Sequence, residues 1–582
     1  MDARFAYARL AVFGAALAVI VVAAWFEVSW WLLLPPAVIF VVLVQRHDRI
    51  VRAREAAARA IAFYDRGLAR IEDRWIGTGE PGERFRDDHH PYANDLDLFG
   101  PASLFELLSL ARTRAGEEAL AGWLKAPAAP SEVALRQEAI AELTPELDLR
   151  EALSNAGTDV RAGIHGEALV AWAEGPPVLS PPWMRWMAAL MTAIVTVAIA
   201  GWWITGNSTP LVLALVFQSV VMWSYRHPIE RALAAADGPA RDLDILSHLL
   251  EQLEERRFTA ERLAALRDEL RSHGVAGSRV IRALHRLVEM HDWQHNLFFL
   301  LFSLPFLWGT HVAWAIEAWR RRNGRHIRGW LRAVGEIEAL ASLSAYRYEH
   351  PEDPYPTVAT EPDGGRPRAA YEGTGLGHPL IPAAQMVRND VHFSSDTQLY
   401  VVSGSNMSGK STLLRTVGVN AVLALSGAPV RAAALRLSPL AIGATLRIQD
   451  SLQEGRSRFY AEITRIRELA DLAAGPVPLL FLLDELLHGT NSHDRLVGAS
   501  GILRGLLDRG AIGLVTTHDL ALTAIADDLA PRAVNVHFED WFDRGEMRFD
   551  YRMKPGRVTR SNALALMRAV GLEVANDAER LP

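Results

Sequence analysis

Hydrophobic positions along this chain follow three kinds of spacing, and each marks a different kind of structure. Two near-continuous apolar runs, Leu10–Phe26 and Val28–Val44, stand with little more than Glu27 between them. A second pair, Trp186–Ile204 and Leu211–Trp223, flanks the polar stretch Thr205-Gly206-Asn207-Ser208-Thr209-Pro210. The first three have 17 to 19 residues, near the length a helix needs to cross hydrocarbon. The fourth is shorter and carries Gln218. Trp25, Trp30, Trp31, Trp186, Trp202, Trp203 and Trp223 sit near segment ends, as interfacial aromatics do. The pattern predicts transmembrane helical hairpins over 1–45 and 183–225. A cleaved leader is the competing reading of the first run, but the second follows it too closely. Buried helices of a soluble protein compete for all four. A fifth run, Leu297–Gly309, contains Pro305 and predicts a buried or membrane-surface helix, because one more crossing would put everything after it on the far side.

Between and after these runs the spacing becomes helical. Residues 46–180 predict a helical core, with an amphipathic stretch at Ile50–Glu72, a polar connection at Gly77–Asn94 and a short helix around Ser103–Leu108. Residues 226–347 predict a helical arm, in which Leu246, Leu249, Leu250, Leu253, Leu263, Leu266 and Leu270 mark a long amphipathic helix or helical hairpin. The Pro-, Gly- and acid-rich span 348–376 reads as a linker. From residue 377 to 582 strand-like and helix-like stretches alternate, the mark of a parallel α/β sheet.

Charge adds an orientation. The balance of 61 basic against 68 acidic residues gives a net charge of −7, so any nucleic-acid surface must be a local patch. Arg4 and Arg9 precede the first hairpin and Arg46, Arg49, Arg52 and Arg54 follow it; Arg185 precedes the second, and Arg226 and Arg231 follow it. Neither tip carries Lys or Arg, so the positive-inside rule predicts a multi-pass protein of the inner (plasma) membrane with its other parts in the cytoplasm. Arg320, Arg321, Arg322, Arg325 and Arg328 form the densest basic cluster; a membrane-flanking or solvated helix face suits it better than a phosphate contact, since no base-reading motif accompanies it. There is no cysteine, which excludes disulfides and thiolate metal sites.

The candidate chemistry lies in the α/β part. Gly404-Ser405-Asn406-Met407-Ser408-Gly409-Lys410-Ser411 follows the apolar run Leu399-Tyr400-Val401-Val402 and precedes a helix start at Thr412. Strand, glycine-bounded loop and helix form the context of a P-loop, whose curled backbone points N–H groups at phosphate oxygens. Lys410 would reach the β/γ-phosphates of ATP and the Ser411 hydroxyl would ligate Mg²⁺. The apolar strand Leu479–Leu483 ends in Asp484-Glu485, where Asp484 would hold Mg²⁺ and Glu485 would orient or deprotonate the attacking water. Another buried strand ends at His518, placed to sense the γ-phosphate or that water. Ser457 precedes an amphipathic helix marked by Phe459, Ile463, Ile466 and Leu469; it is an N-cap, and equally a helix start that can be offered to a phosphate.

Taken together, these motifs resemble the ATPase domain, domain V, of MutS proteins, the mismatch-repair and recombination branch of the ABC-type ATPases. The resemblance rests on His378-Pro379, Asn389-Asp390, Gly404–Thr412, Gly455-Arg456-Ser457 with Glu462, Asp484-Glu485 followed by Gly489-Thr490-Asn491, and Thr517-His518. Weaker likeness to the MutS lever runs through Leu107-Leu108, Gly116, Trp123-Leu124 and Arg136-Gln137. It implies a homodimer in which each ATP lies between one subunit's P-loop and the other's Ser457, with DNA as an inherited partner. The departures are specific: Arg458 follows Ser457, Ser561-Asn562 stands where Ser-x-Gly is usual, and membrane segments stand where a mismatch-reading domain would be expected. The reading is a membrane-anchored MutS-like ATPase. The rivals are the ATPase of a membrane transporter, which lacks its Leu-Ser-Gly-Gly-Gln signature here, and a nucleotide-gated scaffold without DNA, which the intact Glu485 opposes.

Overall fold

The computed structural model describes residues 2–26, 31, 34–156, 166–293, 299, 302–359, 368–446, 458–487, 491–543 and 546–558. The chain divides into two units, Met1–Ala69 and Arg70–Pro582. The first consists of the helix Asp2–Phe26 and most of the helix Leu34–Ile71.

In the second unit the helical region is built on one long helix, Trp308–Glu349, whose inward side chains include Trp314, Ile327, Trp330, Val334, Ile337 and Leu340. Close packing is possible because Gly335 lets the backbone of Ala115 approach; a Cβ there would lie 2.6 Å from the Ala115 carbonyl. A short antiparallel ribbon, β1 (Arg271–Ser272) and β2 (Val275–Ala276), interrupts the helices. The amphipathic stretch marked by Leu246 to Leu270 resolves into the end of the helix Thr209–Glu254 and the helix Glu261–Glu269.

The arginine cluster is not one surface. Arg320 is buried, donates to Glu317 Oε1 at 2.9 Å and to the Pro176 carbonyl, while Arg328 pairs with Glu174 at 2.7 Å. Arg321, Arg322 and Arg325 remain exposed.

The expected linker also contains structure. β3 (Thr357–Val358) and β4 (Tyr371–Leu376) lie inside 348–376 and pair in a four-stranded sheet with β5 (Asn389–Phe393) and β7 (Ala434–Leu437). Tyr371 alternates inward with Gly373, so a period-two burial pattern was present beneath the Pro- and Gly-rich composition.

The main sheet has six strands: β6 (Leu399–Ser403), β8 (Ala441–Thr445), β9 (Leu479–Leu483), β10 (Ile512–Thr517), β11 (Ala533–Asp543) and β12 (Glu546–Pro555). Their spatial order is β12-β11-β6-β10-β9-β8, all parallel except the β11–β12 pair. Both faces are covered, which is why β9 reads as an unbroken apolar run: Leu480 and Leu482 join the core shared with the helical region, whereas Leu479, Phe481 and Leu483 pack on the opposite face. The helix Lys410–Ser426 lies between the sheet and the helical region, with Gly418 against Leu482 on one side and Leu96 on the other.

The expectation of two membrane hairpins is not supported by the helices of the structure. Among the described residues one helix, Met184–Thr205, is long and apolar enough to cross a membrane, and Leu10–Ile20 is a shorter apolar stretch. Leu211–Trp223 is no separate span but the first part of the 46-residue helix Thr209–Glu254. Its Gln218 is buried and donates to the Leu304 and Pro305 carbonyls, each at 3.1 Å. The described part of the fifth run is broken at those carbonyls rather than forming one helix, and Phe302 and Leu304 are exposed.

Candidate nucleotide-binding site

The site forms at the carboxyl ends of β6, β10 and β9, where a parallel sheet leaves a crevice between strands whose connections run opposite ways. The loop after β6 needs its glycines: Gly404 has φ +152° and Gly409 φ +101°, backbone that side chains rarely adopt, and a Cβ on Gly409 would also meet the Tyr551 ring at 3.1 Å. Ser405 and Ser408, in the same loop, have buried hydroxyls with no hydrogen-bond partner. Lys410 is buried and its Nζ donates to the Gly404 and Ser405 carbonyls at 3.0 and 2.7 Å. Burial lowers its pKa, an effect the nearby carboxylates of Glu485, Asp484 and Asp540 oppose.

Asp484 and Ser411 meet although 73 residues separate them: the Ser411 hydroxyl donates to Asp484 Oδ2 at 2.6 Å. A hydroxyl and a carboxylate at the lip of the P-loop are the hard oxygen ligands Mg²⁺ prefers. No group of three or more His, Asp or Glu side chains forms a metal site among the described residues, so Ser411, Asp484 and the phosphates themselves would hold the ion.

Glu485 takes φ +52°, an uncommon conformation for a side-chain-bearing residue. Its N–H donates to Thr516 Oγ1 at 3.0 Å, and that hydroxyl in turn donates to Asp484. Its Oε1 lies 3.2 Å from His518 Nδ1. The structure thus brings Lys410, Ser411, Asp484, Glu485 and His518 to one crevice, with β10 and its histidine between the P-loop strand and the acidic strand. Buried Glu462, on the helix Arg458–Ala473, accepts from the Leu487 N–H at 2.5 Å and ties that helix to the acidic turn. Ser457 and Gly489-Thr490 lie outside the described residues.

The cleft has a volume of about 850 Å³ and extends beyond the phosphate loop. The lining joins Asn406, Met407, Gly409, Lys410, Ser411 and Thr412 to Pro382, Gln385, Met386 and Val387 and to Tyr551, which lies beside Gly409. The part of the lining outside the loop was not legible in the residues, because Met386 and Tyr551 are 165 positions apart. Asn389 joins them: its Nδ2 donates to the Tyr551 carbonyl at 3.0 Å and its Oδ1 accepts from the Met553 N–H at 2.7 Å. His378 sets the loop before Met386. It is buried, its Nδ1 accepts from the Leu380 N–H at 3.2 Å, and burial with the Arg415 charge pushes its pKa down to about 4, so the ring is neutral at pH 7.

Residues 400–581 match the family described as MutS domain V. The chain is 34% identical over 245 residues to DNA mismatch repair protein MutS 2 of Halobacterium salinarum, covering 41% of this chain and 27% of that one. It is 37% identical over 214 residues to Endonuclease MutS2 of Thermus thermophilus, covering 36% and 28% respectively. It is 31% identical over 255 residues to DNA mismatch repair protein MutS of Natronomonas pharaonis, covering 42% and 28%. The chain thus spans little more than a quarter of the length of each of these relatives.

Proposed function

We infer that this chain, a member of the MutS family through its domain V, is an ATPase that hydrolyses ATP to ADP and phosphate between two copies of itself and acts on DNA. The observation that carries the chemistry is the convergence of two pairs, Ser411 with Asp484 and Glu485 with His518, on a cleft floored by the P-loop. The triphosphate lies along residues 404–412, whose N–H groups and the Ser405 and Ser408 hydroxyls meet its oxygens. Lys410 exchanges its two backbone carbonyls for phosphate oxygens. Ser411 and Asp484 would hold Mg²⁺, which would supply neutralisation of phosphate charge. Glu485 accepts the proton of the attacking water, and His518 holds that carboxylate in place. Met386 and Tyr551, both in the cleft lining, are the side chains available to cover the adenine. Ser457 of the second copy closes the site over the γ-phosphate, so ATP favours the dimer and hydrolysis releases it.

DNA as partner is supported by the names of the relatives. Turnover measured with and without duplex, branched and single-stranded DNA tests it; a rate indifferent to all three at low salt overturns it. Glu485→Gln is expected to slow hydrolysis by about 10²–10⁴ while ATP-bound dimers accumulate; a variant no more dimeric than wild type overturns the shared site.

Membrane anchoring, with the ATPase on the cytoplasmic side, is the second part of the proposal. It is supported by the outward-facing Trp186, Leu190, Val197 and Trp203 of Met184–Thr205, continued by Leu213, Phe217 and Val220 of the next helix. Arg185 stacks on Trp186 at 4.6 Å and Arg226 on Trp223 at 3.8 Å, and the turn between the helices lacks basic residues.

A further inference from the structure

The long helix Trp308–Glu349 ends in a chain of buried polar groups that the phosphate chemistry does not use. Tyr346, in its last turn, donates its hydroxyl to Asp353 Oδ2 at 3.1 Å. Asp353 is fully buried, so its charge needs a partner there, and Arg431 supplies it: Arg431 Nη1 lies 3.2 Å from both carboxylate oxygens. The backbone around the pair is held as well. Arg347 Nη1 donates to the Asp353 carbonyl at 2.6 Å, and the Val430 N–H donates to the Pro354 carbonyl at 3.0 Å.

From Arg431 the chain of bonds runs to the nucleotide cleft. The Arg431 N–H donates to Asn420 Oδ1 at 2.8 Å, and Asn420 Nδ2 donates to the Gly377 carbonyl at 2.9 Å. The Gly377 N–H donates to the Arg431 carbonyl at 2.7 Å. Arg431 and Asn420 therefore fix both backbone polar groups of Gly377. Asn420 is fully buried on the P-loop helix and is anchored by a second donation, to the Thr416 carbonyl at 2.8 Å. Asparagine is a weak helix former, and these bonds account for its place there. Gly377 in turn is the surface against which Met386 rests: a Cβ on it would lie 2.2 Å from Met386 Sδ. Met386 lines the cleft.

We propose that Asp353, Arg431 and Asn420 are positioning residues for nucleotide binding: they hold Gly377, and with it Met386, and so anchor the base-covering part of the cleft to the end of the long helix. This rests on the reading that Met386 covers the adenine. Asn420 stands ten residues after Lys410, about 15 Å along the helix, so the relay acts on base binding and leaves the phosphate loop alone.

The test compares ATP with inorganic tripolyphosphate, which carries the phosphates and no base. Each competes, with Mg²⁺, against a fluorescent ATP analogue on the full-length protein in detergent. Asp353→Asn is expected to weaken ATP about five- to tenfold and tripolyphosphate by no more than about twofold. A merely structural role would not produce that split, and equal weakening of the two ligands, or of neither, overturns the inference. Asp353→Asn leaves the Arg431 charge without its partner; should it fail to fold, Asp353→Asn combined with Arg431→Met removes both and carries the same comparison. Gly377→Ala, which displaces the flexible Met386 side chain directly, should show the same split. If it leaves ATP affinity unchanged, or if wild type holds tripolyphosphate as tightly as ATP, the placement of Met386 over the base is overturned. Lys410→Met should weaken both ligands. If it weakens neither, or if tripolyphosphate fails to displace the analogue from wild type, the phosphate cradle itself is overturned.

Discussion

Replacing Lys410 by methionine should move folding stability and nucleotide affinity in opposite directions. The ammonium is buried and held by two backbone carbonyls at 3.0 and 2.7 Å. Burial lowers its pKa, so the charged form is disfavoured in the folded protein relative to the unfolded chain. Methionine has a similar length and no charge to desolvate, which offsets the donor that the Gly404 and Ser405 carbonyls lose. Folding stability is therefore expected to stay unchanged or to rise by up to about 1 kcal/mol. Binding loses charge-assisted bonds to phosphate worth about 1.5–3 kcal/mol each. With one to two such bonds lost, a net cost near 3 kcal/mol corresponds to a roughly 100-fold weaker Kd. A fluorescent ATP analogue titrated into wild type and Lys410→Met, beside urea unfolding of both, reads the two effects separately. Affinity within threefold of wild type would refute the assignment of the loop as a phosphate cradle; a large loss of stability would refute the claim that the lysine is present for binding rather than folding.

Glu338 offers a pH prediction. It is fully buried on the long helix, accepts from the Arg112 and Thr113 N–H groups and the Thr113 hydroxyl, and burial pushes its pKa up to about 7. A raised carboxyl pKa means the folded state holds a proton that the unfolded chain releases near 4.5, so this group's stabilisation declines as pH rises from about 4.5 to 7, by at most about 1.4 kcal/mol per pH unit. Urea midpoints for wild type and Glu338→Gln should converge or cross over that window, and parallel curves would contradict it. Gly418→Val should cost about 1–3 kcal/mol, because a Cβ there meets both Leu482 and Leu96 at 2.7 Å; an unchanged urea midpoint would show that the interface yields. The cysteine-free chain makes Asn207→Cys a single labelling site at the turn after Met184–Thr205. Membrane-impermeant maleimide should label it on intact cells, and labelling seen only after lysis would reverse the proposed orientation.

The P-loop, the acidic pair and His518 could be read because each is a short local signal, a strand end followed by residues whose chemistry fixes their use. The α/β pattern after residue 377 was legible for the same reason: continuous apolar strands such as Leu479–Leu483 need cover on both faces. Hydropathy was less decisive. An apolar run can be a helix of its own or one end of a longer one, and Leu211–Trp223 is the latter, continuing to Glu254. Composition hid β4, because proline, glycine and acid around it suggested a linker while Tyr371 faced inward.

Local order, then, picked out the candidate groups and the apolar strands at whose ends they stand. Only the tertiary structure decided what lies opposite those groups. Tyr551 and Met386 line one cleft, Arg320 turns inward to Glu317 while its neighbours stay in water, and Asp353 pairs with Arg431 from 78 residues away. Those pairings are set by which faces remain to be buried once the sheet and the long helix have packed, a property of the whole chain that no short window contains.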